Sequence, residues 1–98
     1  MDAPLLKLAD LKLDYSYLVL KYRPINTKYG NCYIIKCREY GCDDDESDFQ
    51  MFATKLIASY ISQYSPTNKF HFTVKKNSKY TYAEISGYNP STAFIKLN

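Results

Sequence analysis

The sequence predicts a small, mainly β fold: a five-stranded barrel with one helix between its third and fourth strands. Three observations predict it. Aromatic and β-branched residues alternate with polar ones through much of the chain, which holds 11 tyrosines and 5 phenylalanines. One window with a helical period follows three strand-like segments. The length of 98 residues suits a single hydrophobic core. We expect an arm at residues 1–14 and one domain at residues 15–98.

The first strand is predicted at residues 15–23. Its alternation places Leu18, Leu20 and Tyr22 on the inward face. Pro24 is expected to end or bulge this strand, because proline cannot donate to a β ladder. The leucine-rich arm before the strand fits either a short helix or an extended segment that packs on the domain.

A hairpin loop at residues 26–31 leads into the second strand, which is predicted at residues 32–40. Lys36 and Arg38 share one face of this strand, and Tyr33 lies on the other. Asn and Gly in the loop supply the backbone conformations that a tight connection needs.

The third strand, at residues 49–53, runs directly into a helix at residues 54–64. Apolar residues recur in this window at the helical spacing of three and four, and Thr54 is a suitable N-cap. Two further strands are predicted at residues 69–75 and 80–85. A polar turn joins them as a hairpin.

Charge is segregated along the chain. Of the 10 acidic residues, five fall within residues 43–48, so the rest of the chain carries 13 − 5 = +8 although the formal net charge is +3. Basic side chains neutralise phosphates and aromatic rings stack on unpaired bases, which favours single-stranded nucleic acid as the partner. We expect the acidic run to protrude as a solvated turn that disfavours wrong docking of nucleic acid or contacts a basic partner.

The three cysteines and the single histidine do not suit a metal site. Cys32, Cys37 and Cys42 are spaced five apart, unlike the short spacing of zinc knuckles, and an odd number fits free thiols in a reducing compartment. We expect an intracellular protein without a cofactor. No catalytic set is visible, which disfavours an enzyme. No apolar run is long enough to span a membrane, which disfavours a membrane partner. The start of the sequence lacks the pattern of a secretory signal peptide, which fits the expected intracellular location.

The element order matches the five-stranded oligonucleotide/oligosaccharide-binding (OB) barrel. Its ligands cross the face of strands two and three, between the loop that joins strands one and two and the loop that joins strands four and five. Basic and aromatic residues map to that region, with Phe49 or Phe52 as further candidates on strand three. The predicted nucleic-acid-binding residues are Lys21, Arg23, Lys28, Tyr29, Tyr33, Lys36, Arg38, Lys75, Lys76, Lys79 and Tyr80.

One segment carries a family resemblance. Leu18, Val19 and Leu20, followed by the turn Asn26-Thr27-Lys28-Tyr29-Gly30, resemble the start of small single-stranded-DNA-binding barrels of invertebrate DNA viruses, of the baculovirus late expression factor 3 type. The resemblance implies a protein that coats unwound DNA during viral or mobile-element replication, in the nucleus of an infected or host cell. It also implies that Lys28 and Tyr29 are loop contacts.

We therefore expect non-enzymatic binding of single-stranded DNA or RNA with little sequence preference. Lysines and arginines would capture phosphates, and Tyr29, Tyr33 and Tyr80 would stack on bases. Two alternatives stay open. The exposed tyrosines and the acidic loop could form the interface of a protein-interaction or viral accessory module, or an open strand edge could pair with a second copy to give a homo-oligomer.

Overall fold

An antiparallel β-sheet with one helix makes up the fold. The computed structural model describes residues 3–28, 30–43, 47–86 and 88. A short 3₁₀ turn, Leu8–Asp10, precedes the sheet. The elements that follow are β1 (Ser16–Thr27), β2 (Gly30–Glu39), β3 (Phe49–Phe52), α1 (Lys55–Tyr64), β4 (Phe70–Lys76) and β5 (Thr81–Glu84). The predicted mainly β fold, with its single helix after the third strand, is confirmed among these residues.

The strands lie in the order β3-β2-β1-β4-β5, and each neighbouring pair is antiparallel. The sheet curls into a half-barrel whose closure is incomplete. Because β3 and β5 are the two ends of this order, a closed barrel would need them to pair. No such pairing exists within the described ranges.

The N-terminal arm adds to one of these open ends and reaches the other. The Gln50 amide donates to the Pro4 carbonyl at 2.7 Å, and the Leu6 amide donates to the Gln50 carbonyl at 2.8 Å, which forms a short parallel bridge on β3. The 3₁₀ turn contacts β5, and Leu8 and Leu11 pack against the core. The arm therefore combines the two predicted alternatives, since it is first extended and then briefly helical.

The core lies between the inner face of the sheet and α1. The Tyr17 ring packs edge-on against Phe49 with centroids 5.5 Å apart, and at 5.8 Å from Phe72, so it links β1 to β3 and β4. Ile57 and Ile61 bring the apolar face of α1 onto this cluster. Burying each of these side chains contributes roughly 1.5–3 kcal/mol.

The helix begins and ends with hydrogen bonds that its sequence explains. The Thr54 hydroxyl accepts a hydrogen bond from the Ile57 amide at 3.3 Å, as an N-cap does. Ser65 adopts a left-handed φ of 43° and donates to the Ile61 carbonyl, which ends the helix.

Among the residues described, no helix is long and apolar enough to cross a membrane. The sequence also predicts a further short strand at residues 93–97, which lie outside the described ranges.

A β-bulge changes the inward set of β1. The register with β2 shifts just after Val19, where Leu20 is the extra residue. Tyr17 and Val19 are buried before the bulge, and Tyr22 packs against the core after it. The expected inward position of Leu18 is therefore wrong, and that of Tyr22 is right only because the bulge resets the alternation.

Pro24 neither ends nor bulges β1, which continues to Thr27. β4 pairs only with residues 16–19 of β1, so the later part of β1 has no described strand on that side. Proline is tolerated where a strand has an open edge, because its missing N–H removes no ladder hydrogen bond there. The irregularity that the sequence assigned to Pro24 occurs instead at Leu20.

Candidate nucleic-acid interface

The outward face of β1 and β2 places two lysines side by side. Lys21 lies directly opposite Lys36, and Lys36 lies opposite Gln50 on β3. Lys21 is exposed, and none of the described acids forms an ion pair with it. Like charges directly opposite each other destabilise a sheet. The position of Lys21 opposite a like charge therefore costs stability.

The next row of the same face combines a cation with apolar side chains. Arg23 lies opposite Ile34, and Ile34 lies opposite Phe52. Arg23 is exposed, and the Phe52 ring is 45% exposed although large apolar side chains are usually buried. An exposed ring beside cations can stack on an unpaired base.

We refer to five side chains of these two rows as the cationic patch. A shallow groove of about 480 Å³ runs over part of it, and Ala3 of the arm and Gln50 also line that groove. The patch residues are Lys21, Arg23, Ile34, Lys36 and Phe52.

Arg38 points to the same side of β2, but its charge is already used within the protein. Its Nε donates to Asp48 Oδ1 at 2.6 Å and its Nη2 donates to Oδ2 at 3.0 Å, a bidentate pair. Lys36 Nζ lies 3.8 Å from the same carboxylate. The hydrogen bond from Arg38 lowers the pKa of Asp48, against the opposing effect of burial.

The acidic run is not wholly solvated, and the expectation is wrong for Asp48. This residue is only 6% exposed, and it immediately precedes β3. A buried carboxylate is tolerated when a partner charge and hydrogen bonds replace its water, and Arg38 supplies both. Asp43 is exposed, and residues 44–46 lie outside the described ranges. The last acid of the run therefore fixes the loop to β2.

Cys37 lies in the core near this pair. Burial, with a smaller effect from Asp48, raises the pKa of the Cys37 thiol to about 12. A thiol with so high a pKa is unreactive at neutral pH, because the thiolate is the nucleophile and metal ligand. Cys32 and Cys42 are half-buried and form no disulfide within the described ranges.

Tyr33 faces away from the cationic patch. Its ring packs edge-on against Tyr22 with centroids 5.9 Å apart, and its hydroxyl lies 3.3 Å from the Ser62 hydroxyl on α1. The side chain is half-buried against the core. Tyr33 therefore does not share the surface that carries Lys36.

The turn between β1 and β2 carries Lys28, which is exposed. Tyr29 lies outside the described ranges. The Thr27 hydroxyl donates to the Gly30 carbonyl at 2.8 Å across this turn. A second groove, of about 600 Å³, connects the turn with Phe52, so Lys28 lies near one end of the cationic patch.

The four remaining predicted residues form a separate surface. Lys75 and Lys76 end β4, Lys79 and Tyr80 follow in the hairpin, and Lys75 Nζ forms an ion pair at 3.3 Å with Asp14, which precedes β1. The hairpin therefore lies beside the start of β1, whereas Lys28 follows its end. The 12 residues of β1 span up to roughly 40 Å at about 3.3 Å per residue.

The structure also decides between the two phenylalanines of β3. Phe49 is 4% exposed and belongs to the core, whereas Phe52 faces outward. In the described part of the chain, no group of three or more His, Cys, Asp or Glu residues could hold a metal ion. Comparisons with protein-family models, curated proteins and solved structures found no match.

Proposed function

We propose that the protein binds single-stranded DNA, with little sequence preference, on the outward face of β1, β2 and β3. The observation that carries this proposal is the directly opposed pair Lys21 and Lys36. Lys21 faces the like charge of Lys36 and forms no ion pair with a described acid, whereas Lys36 also lies 3.8 Å from the Asp48 carboxylate. A phosphate bound between the two ammonium groups would add an attractive contact to both. Arg23, in the next row, extends the positive charge along the strand.

Phe52 supplies the second half of the binding mechanism. A base stacked on this ring contributes roughly 1–3 kcal/mol, and every base has a face that can stack. Ile34 adds apolar surface between the ring and Arg23. Selection among the four bases is therefore weak, whereas discrimination against duplex DNA is strong because paired bases are not available for stacking.

The proposed fold is an OB-type barrel. The helix between β3 and β4, the five antiparallel strands and the incomplete closure support it, since the OB barrel is five-stranded and partly open. The cationic patch covers the β2 and β3 face where OB ligands bind, and the Lys28 turn flanks it. With the resemblance noted above, we extend the proposal to coating unwound DNA during viral or mobile-element replication.

A fluorescence-anisotropy titration with labelled oligo-dT at several salt concentrations tests the function. We expect saturable binding. In a plot of log affinity against log salt concentration, the magnitude of the slope should fall by about 0.7 for each phosphate contact removed. Lys21→Ala and Lys36→Ala should each flatten the slope by about that amount. Lys69→Ala, an exposed lysine before β4, is the matched control and should leave the slope unchanged.

Two results would reject the proposal. One is the absence of saturable binding at low salt. The other is an equal loss of slope in Lys69→Ala and Lys36→Ala, which would mean that net charge rather than the cationic patch attracts the DNA. Oligo-rU and duplex DNA of the same length complete the titration, and we expect duplex to bind more weakly than oligo-dT.

A further inference from the structure

Gln50 places a neutral amide among the cations of the groove that runs over the cationic patch. It lies directly opposite Lys36 of β2, so its side chain belongs to the same outward face. Phe52 is two positions further along β3 and shares that face, about 7 Å away at about 3.3–3.4 Å per residue. A hydrogen-bonding side chain and the exposed ring are therefore neighbours on one surface.

The N-terminal arm holds the backbone of Gln50. The Gln50 amide donates to the Pro4 carbonyl at 2.7 Å, and the Gln50 carbonyl accepts from the Leu6 amide at 2.8 Å. On its other side, β3 pairs with β2. The residue is fixed from both directions, as a group that is preorganised for a ligand must be.

The arm also sets the orientation of the side-chain amide. Gln50 Nε2 donates to the Ala3 carbonyl oxygen at 3.0 Å. Because a carbonyl oxygen can only accept, the nitrogen faces the arm and Oε1 points away from it. Within the described ranges, Oε1 accepts no hydrogen bond. The groove therefore contains an oriented acceptor that the contacts of the fold leave unused.

This acceptor suits a base and not a phosphate. Ionised phosphate oxygens only accept hydrogen bonds, so Oε1 cannot bond to them, whereas Lys21 and Arg23 can. Each of the four bases carries an N–H donor on its Watson–Crick edge, and in a single strand that edge is open to a protein. In a duplex the partner base already occupies it. An acceptor beside a stacking ring therefore accepts all four bases and rejects paired ones.

We propose that Oε1 of Gln50 accepts a hydrogen bond from the Watson–Crick edge of a base stacked on Phe52, and that the Ala3 carbonyl positions the amide for this contact. The inference rests on the proposed function. It adds to that function the residue that recognises a base as unpaired, while the lysines and arginine hold the phosphates.

Parallel titrations with oligo-dT and with an oligonucleotide of N3-methylthymine of the same length test the contact. Methylation removes the only N–H donor of thymine and leaves the stacking face and the phosphate charges in place. We expect the unsubstituted protein to bind the methylated oligonucleotide about 3- to 10-fold more weakly, the loss typical of one hydrogen bond. Gln50→Met keeps the length of the side chain without its amide, and it should bind both oligonucleotides with equal affinity.

The controls separate this contact from charge and from folding. Gln63→Met makes the same change on α1 and should keep the preference for oligo-dT. The salt slope of Gln50→Met should not change, because no charge is removed, and circular dichroism should show an unchanged fold.

The outcomes distinguish this inference from the function on which it rests. Equal binding of the two oligonucleotides by the unsubstituted protein would overturn the inference and leave the proposed function standing. A Gln50→Met variant that keeps the preference for oligo-dT would do the same. The absence of saturable oligo-dT binding would overturn both.

Discussion

At the scale of single residues, the basic side chains of β1 and β2 have opposite effects on stability. Arg38 is paired with the buried Asp48 carboxylate, which Lys36 also approaches at 3.8 Å, while Lys21 on β1 faces Lys36 across the ladder. The pairing of Asp48 stabilises the loop before β3, and the placement of Lys21 opposite a like charge costs stability. A residue that stabilises and a residue that binds can therefore be distinguished by experiment, because their variants change the free energy of unfolding in opposite directions.

Asp48→Asn should lower the free energy of unfolding by about 1–3 kcal/mol at pH 7, because Arg38 loses its charged partner. Arg38 lowers the pKa of Asp48 in the folded protein. The carboxylate thus stabilises the fold fully above its unfolded pKa of about 4, and that contribution is lost as the pH falls through the lower folded value. Urea denaturation at pH 7 and near pH 3 should show the deficit of the variant shrinking in acid.

The exposed Asp43 provides the control, since Asp43→Asn should change stability little at either pH. A deficit of Asp48→Asn that stays the same at both pH values would mean that lost packing, rather than lost charge, destabilises the variant.

Lys21→Ala should change stability and binding in opposite directions. Removing one of two opposed lysines should raise the free energy of unfolding by a few tenths of a kcal/mol, up to about 1 kcal/mol. The same variant should bind oligo-dT more weakly. Chemical denaturation and anisotropy on one protein preparation measure both effects, and a loss of stability in Lys21→Ala would contradict the repulsion on which the proposed function rests.

Phe52→Ala should weaken oligo-dT binding by about 5- to 150-fold, which corresponds to roughly 1–3 kcal/mol of base stacking. The salt slope should not change, because no charge is removed. Tyr15→Ala is a matched control, since Tyr15 is also 45% exposed but immediately precedes β1. Equal losses in the two variants would show that Phe52 is not a specific stacking site.

At the scale of elements, the sequence predicts what depends on local pattern and misses what depends on partners. The helix was predictable because Thr54 and the apolar spacing act within one segment. The β1 bulge was not, because it depends on the pairing of β1 with β2 on one side and β4 on the other. The pattern of β2 separated Lys36 from Tyr33, but the contacts of Tyr33 with Tyr22 and with Ser62 on α1, which show that its side chain is engaged in the fold, were not predictable.

The N-terminal arm is the element whose contribution is easiest to test. Leu8→Ala should lower the free energy of unfolding by about 1–2 kcal/mol, because a half-buried leucine that packs on the core is lost. Leu13, which is 47% exposed, is the control, and Leu13→Ala should change stability by less than about 0.5 kcal/mol. Equal stabilities of the two variants in urea would mean that the arm does not hold the open ends of the sheet.

At the scale of the whole molecule, the predicted nucleic-acid-binding residues are divided between the two ends of β1. The cationic patch covers its later half, whereas the β4–β5 hairpin lies beside its start. The sequence analysis predicted one site, because in the OB barrel the loop between strands one and two and the loop between strands four and five flank the same face. Whether the barrel closes depends on how the folded strands pair, which the sequence pattern does not show.

NMR mapping with oligo-dT is the measurement that tests the location of the site most directly. Adding the oligonucleotide to ¹⁵N-labelled protein should shift the backbone amides of the cationic patch and of Lys28, and leave those of α1 and the hairpin unchanged. The shifts should disappear as salt is raised. Shifts confined to the hairpin or to α1 would contradict the assignment of DNA binding to the outward face of β1, β2 and β3.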